Sequence, residues 1–127
     1  MTVPHSEMIL SGRHILVAED EYFIADDLAR AFEACGARIL GPVATVQDAL
    51  ALVEASDRID CAVLDINLQG EMVYPLADAL QRRRVPFVFA TGYNGAMIDK
   101  RYIGVHRCEK PVSPAAIAKA LLARHPA

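Results

Sequence analysis

Five side chains with usable chemistry follow four short apolar runs in this 127-residue chain. Glu19 and Asp20 come after His14-Ile15-Leu16-Val17-Ala18, and Asp65 after Cys61-Ala62-Val63-Leu64. Thr91 comes after Phe87-Val88-Phe89-Ala90, and Lys110 just after the run from Val105 to Cys108. Each has a plain explanation when taken alone. Acids favour a helix N-terminus, Asp65 and Thr91-Gly92 can begin turns, and a lysine can simply be solvated. Gathered on one edge they are a site. Three carboxylates within a few ångströms repel one another unless a cation compensates them. Ligands that are all oxygen, with no cysteine or histidine, select a hard ion such as Mg²⁺. A carboxylate at such an ion, beside an ammonium and a hydroxyl, is arranged to accept a phosphoryl group: the cations offset charge on the equatorial oxygens while the carboxylate attacks in line.

The order of elements is what would gather them. Each apolar run is short, as in a strand covered on both faces, and each is followed by helical spacing. After the first strand, Ile24, Leu28, Ala31 and Cys35 fall on one helical stripe, and Gly36 sits where a helix-ending glycine belongs. Ala37 to Leu40 reads as a second strand stopped by Gly41-Pro42, and Thr45 as the cap of a helix carrying Val46, Leu50 and Val53 inward. A turn at Gln69-Gly70 precedes a helix with Pro75 in its first turn and Val73, Leu76, Ala77 and Leu80 inward. A weak, glycine-broken helical segment is predicted around Ala96 to Arg101. Ser113-Pro114 starts a last helix with Ile117, Ala120 and Leu121 inward. Five strand-helix units predict an α/β fold with one doubly wound parallel sheet, and ligands bind outside the carboxyl ends of the strands of such a sheet.

Composition closes off other classes. With 54% hydrophobic and 23% charged residues, neither disorder nor a fibre is expected. The longest apolar stretch, Val85 to Ala90, is far short of a membrane span, and no export signal opens the chain. Three widely spaced cysteines, Cys35, Cys61 and Cys108, fit reduced thiols in the cytoplasm. A net charge of −3 argues against a nucleic-acid surface. The four histidines lack metal-ligand spacing. Arg82-Arg83-Arg84 is either a helix end opposing its dipole or a docking patch. Residues 1–12 are expected to form a flexible N-terminal arm and residues 13–125 the domain.

Four pieces carry a family resemblance: Ile-Leu-Val-Ala-Glu-Asp-Glu ending at Glu21, Leu-Asp-Ile-Asn-Leu around Asp65, Phe-Ala-Thr-Gly-Tyr around Thr91, and Glu-Lys-Pro at Lys110. In that order, at the ends of strands one, three, four and five, they resemble the receiver domain of bacterial two-component response regulators, from about His14 to Arg124. The resemblance implies a flavodoxin-like (βα)5 fold with strand order 2-1-3-4-5. It implies Asp65 as phosphoacceptor, Mg²⁺ held by the carboxylates of Asp20 and Asp65, by the backbone carbonyl of Asn67 and by Glu19 through water, and Lys110 and Thr91 as the groups that meet the phosphoryl oxygens. It also implies a sensor histidine kinase or histidine phosphotransfer protein as donor, a downstream signalling protein as partner, and a phosphoacceptor rather than an enzyme. Receivers commonly carry an aromatic residue three positions before the lysine; here that position is Arg107. With Phe89-Ala90-Thr91-Gly92-Tyr93, this is similar to the alphaproteobacterial "FAT GUY" receivers, many of them single-domain. Thr91, Tyr93 and Arg107 are then the switch and output candidates, and Tyr93 is either a surface aromatic or a partner contact. Because the chain stops just after its last helix, output is expected through protein binding or phosphoryl relay.

Three rivals remain. A haloacid-dehalogenase-like phosphatase also phosphorylates an aspartate, but its nucleophile follows the first strand with an acid two residues on, where this chain has Asn67 after Asp65. A flavodoxin-like cofactor carrier needs a phosphate loop after strand one, where this chain has Glu19-Asp20-Glu21. A degenerate receiver acting as a scaffold would not need the intact set of Asp65, Thr91 and Lys110.

Overall fold

The computed structural model describes residues 9–92 and 98–124. The uniformly apolar runs become a sheet buried on both faces, because alternate side chains of each strand point to opposite layers of helices. Its strands are β1 (His14–Ala18), β2 (Arg38–Val43), β3 (Cys61–Asp65), β6 (Phe87–Thr91) and β7 (Arg107–Glu109). They lie in the order β2-β1-β3-β6-β7, all parallel, which is 2-1-3-4-5 when only the sheet's strands are counted. Two-residue strands β4 (Asn67–Leu68) and β5 (Glu71–Met72) form a separate antiparallel hairpin. The helices are α1 (Tyr22–Ala34), α2 (Val46–Ala55), α3 (Tyr74–Arg82) and α4 (Pro114–Arg124).

Ile15 and Val17 of β1, with Val63 and Val88, pack against Leu28 and Phe32 of α1 and Ile117 and Ala118 of α4. Leu16 and Ala18, with Leu64, Phe87 and Phe89, face Val46 and Val53 of α2 and Leu76 and Leu80 of α3. Each valine, leucine, isoleucine or phenylalanine side chain among them contributes about 1.5–3 kcal/mol when removed from water. The α1 face differs from the expected stripe. Ala25, Leu28, Ala29 and Phe32 are buried, while Ile24 and Ala31 sit at its half-exposed edges. Small alanines let the helix approach the sheet, and Phe32 fills the space beyond them.

Several local expectations hold. Thr45 Oγ1 accepts from Asp48 N at 3.0 Å, Ser113 Oγ accepts from Ala116 N at 3.2 Å, and Pro75 lies in the first turn of α3. Gly36 has φ +87°, and the amide of Ala37 beyond it reaches back to Phe32 O. Others are corrected. β2 does not stop at Gly41-Pro42 but runs on to Val43 through an irregularity in its pairing with β1. An edge strand tolerates a proline that a central one would not. The last strand lies at Arg107–Glu109 rather than Val105 to Cys108. Of the weak segment predicted around Ala96 to Arg101, Ala96 and Met97 lie outside the described residues, and Lys100–Tyr102 is one 3₁₀ turn capped by Asp99. Residues 1–8 of the expected arm lie outside the described residues; at its end Leu10 is fully buried against the α1 layer, and Gly12 N donates to Gly36 O. No helix among the described residues is long and apolar enough to cross a membrane.

Candidate functional site

The sheet order reverses at β1, with β2 on one side and β3 on the other, and a crevice opens where chains leave in opposite directions. Glu19 and Asp20 follow β1 there, and Asp65 ends β3. Pairing of Ala18 with Leu64 and of Asp65 with Ala90 puts Glu19, Asp65 and Thr91 along one edge. Oxygens of Glu19, Asp20 and Asp65 lie within 4.8 Å of one another. Lys110 is brought to them by its backbone, whose N–H donates to Thr91 O at 2.9 Å.

Hydrogen bonds fix each acid. Lys110 Nζ lies 2.8 Å from both Glu19 Oε1 and Asp65 Oδ2. The second oxygen of Glu19 accepts from Glu21 N at 3.0 Å, and Asp65 Oδ1 accepts from Asn67 N at 3.2 Å. Asp20 Oδ2 accepts from Gln69 N at 2.8 Å. Burial pushes the Glu19 carboxyl up to about 7, although Lys110 and the Glu21 N–H oppose the rise. Burial alone would lower Lys110, but its bonds to Asp65 and Glu19 outweigh that and hold the ammonium above its ordinary range.

Three carboxylates and one ammonium leave the pocket short of positive charge. A hard divalent cation fits the all-oxygen donor set and that deficit. The set therefore suits Mg²⁺ on the chemistry of its donors.

Of the residues singled out in the sequence, Glu19, Asp20, Asp65 and Lys110 converge. Thr91 is buried one residue beyond Asp65's partner Ala90. Asn67 opens the hairpin at the mouth of the site. Arg107 is exposed at the start of β7 and pairs with Phe89. Tyr93 lies outside the described residues. Two features were not anticipated. One is the hairpin that brings Gln69 to Asp20; the Gln69-Gly70 turn was its only signal. The other is Tyr102, buried against Phe87 and Phe89, stacked on Tyr74 at 5.7 Å, with its hydroxyl on Asp78. In the sequence it is one aromatic beside glycine-broken chain, with no periodicity to mark it.

A scan against protein-family models finds no match, and neither does a search of curated proteins. Solved structures do match. SdrG from Sphingomonas melonis Fr1 is 42% identical over 88% of this chain and 95% of that one, with a TM-score of 0.78. The BeF3-activated conformation of SdrG from Pseudomonas melonis Fr1 is 41% identical over 90% of this chain and 97% of that one, with a TM-score of 0.71. The response regulator REC domain of Erythrobacter litoralis PhyR, 23% identical over 91% of each chain with a TM-score of 0.74, shares the fold.

Proposed function

The chain belongs to the response regulator receiver family, and from that premise we propose that it is a Mg²⁺-dependent phosphoacceptor whose phosphorylated residue is Asp65. The observation that carries this reading is the Lys110 ammonium bridging Glu19 and Asp65 at the reversal point of the sheet. Asp20 and Asp65 would hold the ion through carboxylates, Asn67 through its backbone carbonyl, and Glu19 through water. Mg²⁺ held there supplies positive charge for the oxygens of the incoming phosphoryl group.

The chain's own groups do the rest. An Asp65 carboxylate oxygen attacks phosphorus in line; the new O–P bond forms as the donor's P–N bond breaks, and the imidazole leaves with the electron pair. Lys110, already on Asp65, exchanges part of that contact for a phosphoryl oxygen. The Thr91 hydroxyl donates to another, which draws the end of β6 toward Asp65. The donor on this reading is a phosphohistidine of a sensor histidine kinase or a phosphotransfer protein, in the cytoplasm. Output passes to a downstream signalling protein or onward as a phosphoryl relay, with no nucleic acid or membrane involved and no substrate turned over.

Intact-mass measurement after incubation with acetyl phosphate tests the assignment. One phosphoryl group should be gained with Mg²⁺ present and none after chelation or in Asp65→Asn. Modification that survives in Asp65→Asn would overturn the assignment. A parent that takes no phosphoryl group would instead be a scaffold receiver.

A further inference from the structure

The hairpin between β3 and α3 reaches back to the acid pair across the crevice. Its base is anchored: Leu68 is buried, and Val73 N donates to Ile66 O at 2.8 Å. Its tip is a two-residue turn with Gln69 at φ +52° and Gly70 at φ +88°. Positive φ at both central residues is the demand of the tight turn that matches strand twist, and asparagine or aspartate before glycine normally meets it. Gln69 is neither, and a left-handed glutamine needs outside support. Asn67 supplies that support. Asn67 Oδ1 accepts from Gly70 N at 2.8 Å, closing the turn from within. The closed turn aims Gln69 N–H at Asp20 Oδ2, 2.8 Å away.

We infer that the Asn67 side chain and Gly70 are positioning residues that set the Asp20 carboxylate for the metal by holding the Gln69 amide against it. The inference rests on the reading of this pocket as a Mg²⁺ site. Asp20 stands among like charges, with Glu19 and Asp65 oxygens within 4.8 Å. Without a donor on one oxygen, that repulsion favours swinging the side chain toward water. With Oδ2 held, the carboxylate has one orientation and presents its other oxygen in one direction. Hydrogen bonds to ligating carboxylates typically govern metal affinity about 10- to 100-fold. The two named residues act one step further out, so the expected loss is at the lower end.

The test uses the full chain in three variants. Asn67→Ala removes the acceptor for the turn but leaves the backbone carbonyl. Gly70→Val places a β-branched residue where φ is +88°, and Gly70→Asn places there a residue that accepts left-handed backbone. A Cβ at Gly70 meets nothing within 4 Å, so the two differ in backbone preference rather than in fit. Calorimetric titration with MgCl₂ should show about tenfold weaker binding in Asn67→Ala and Gly70→Val, and near-parent binding in Gly70→Asn. Amide hydrogen exchange of Gln69 without metal should speed up in Asn67→Ala, in Gly70→Val and in Asp20→Ala, but not in Gly70→Asn. Parent-like Mg²⁺ affinity in Asn67→Ala and Gly70→Val would overturn the inference and leave the metal site standing. If the parent itself binds no Mg²⁺, the site reading fails instead, and unchanged Gln69 exchange in Asn67→Ala would dispose of the positioning role as well.

Discussion

Lys110 Nζ lies 2.8 Å from Asp65 Oδ2, the acid read as the phosphoacceptor, while the same nitrogen is 2.8 Å from Glu19 Oε1. One ammonium thus holds two of three crowded carboxylates, with only 17% of its side chain exposed. Hydrogen bonds between charged groups in such a place are worth about 1.5–3 kcal/mol each against their loss.

Lys110→Ala should therefore lower stability by about 2 kcal/mol in the absence of Mg²⁺, read as a shift in the urea midpoint. Added Mg²⁺ should restore much of that loss, since it meets the same charge deficit. Phosphoryl incorporation should fall further in Lys110→Ala than in Lys110→Arg, because the guanidinium keeps the charge but spreads it over a planar fork. Equal and near-normal incorporation in both variants would make Lys110 a structural residue only.

Glu19 predicts a pH dependence with a definite sign. Its carboxyl is raised by burial from an ordinary 4.5 to about 7 in the folded chain. Between those values the folded state keeps a proton that the unfolded state has lost, so stability falls as pH rises through the window and levels off above it. Below the window both states are protonated and the contribution is complete. Urea midpoints measured from about pH 5 to about pH 7 should decline more steeply in the parent than in Glu19→Gln, and stabilisation by Mg²⁺ should grow over the same range. Parallel parent and Glu19→Gln curves would mean that Glu19 does not titrate there.

The sheet was legible because its central strands are buried on both faces. Leu16 and Val17 point to opposite helical layers, yet both are apolar, so the run stands out from the helices around it. The acids and Lys110 were legible for a related reason, since parallel strands put all their carboxyl ends on one edge. The α1 face was misread because Ala25 and Ala29 carry little apolar signal, although their small size is what lets the helix approach. The hairpin was hidden more deeply. Asn67-Leu68 and Glu71-Met72 are two-residue strands with no room for alternation, and the turn between them is closed by a bond that the Asn67 side chain accepts from Gly70 N. Nothing local marks Tyr102 either, since its place is set by Tyr74, Phe87 and Phe89 from other elements.

The arginine run divides into one structural member and two solvated ones. The Arg83 guanidinium donates to Val53 O, to Ser56 O at 2.8 Å and to Asp57 O at 3.4 Å, capping the carbonyl end of α2 from α3. Arg83→Ala should cost about 1–2 kcal/mol in chemical unfolding. Arg82→Ala and Arg84→Ala should stay within about 0.5 kcal/mol of the parent. Equal losses at all three positions would point to bulk charge rather than to the cap.

The last expectation concerns how phosphorylation is felt beyond the pocket. Thr91 is buried beside Ala90, which pairs with Asp65, and its carbonyl holds the Lys110 amide. A pull on its hydroxyl would therefore move the end of β6 and, through the contact of Phe89 with Tyr102, the 3₁₀ turn at Lys100–Tyr102. Arg107 stands where receivers commonly place a rotating aromatic, but it is exposed, whereas Tyr102 is a buried ring packed on Phe89. Amide spectra with and without the phosphoryl mimic beryllofluoride separate these roles. In the parent and in Arg107→Tyr, residues 98–109 should shift together on adding the mimic, and both should be phosphorylated at similar rates. Thr91→Ala should still bind the mimic at Asp65, with the shifts confined to the pocket. If residues 98–109 of Thr91→Ala respond as the parent's do, Thr91 does not couple Asp65 to that segment.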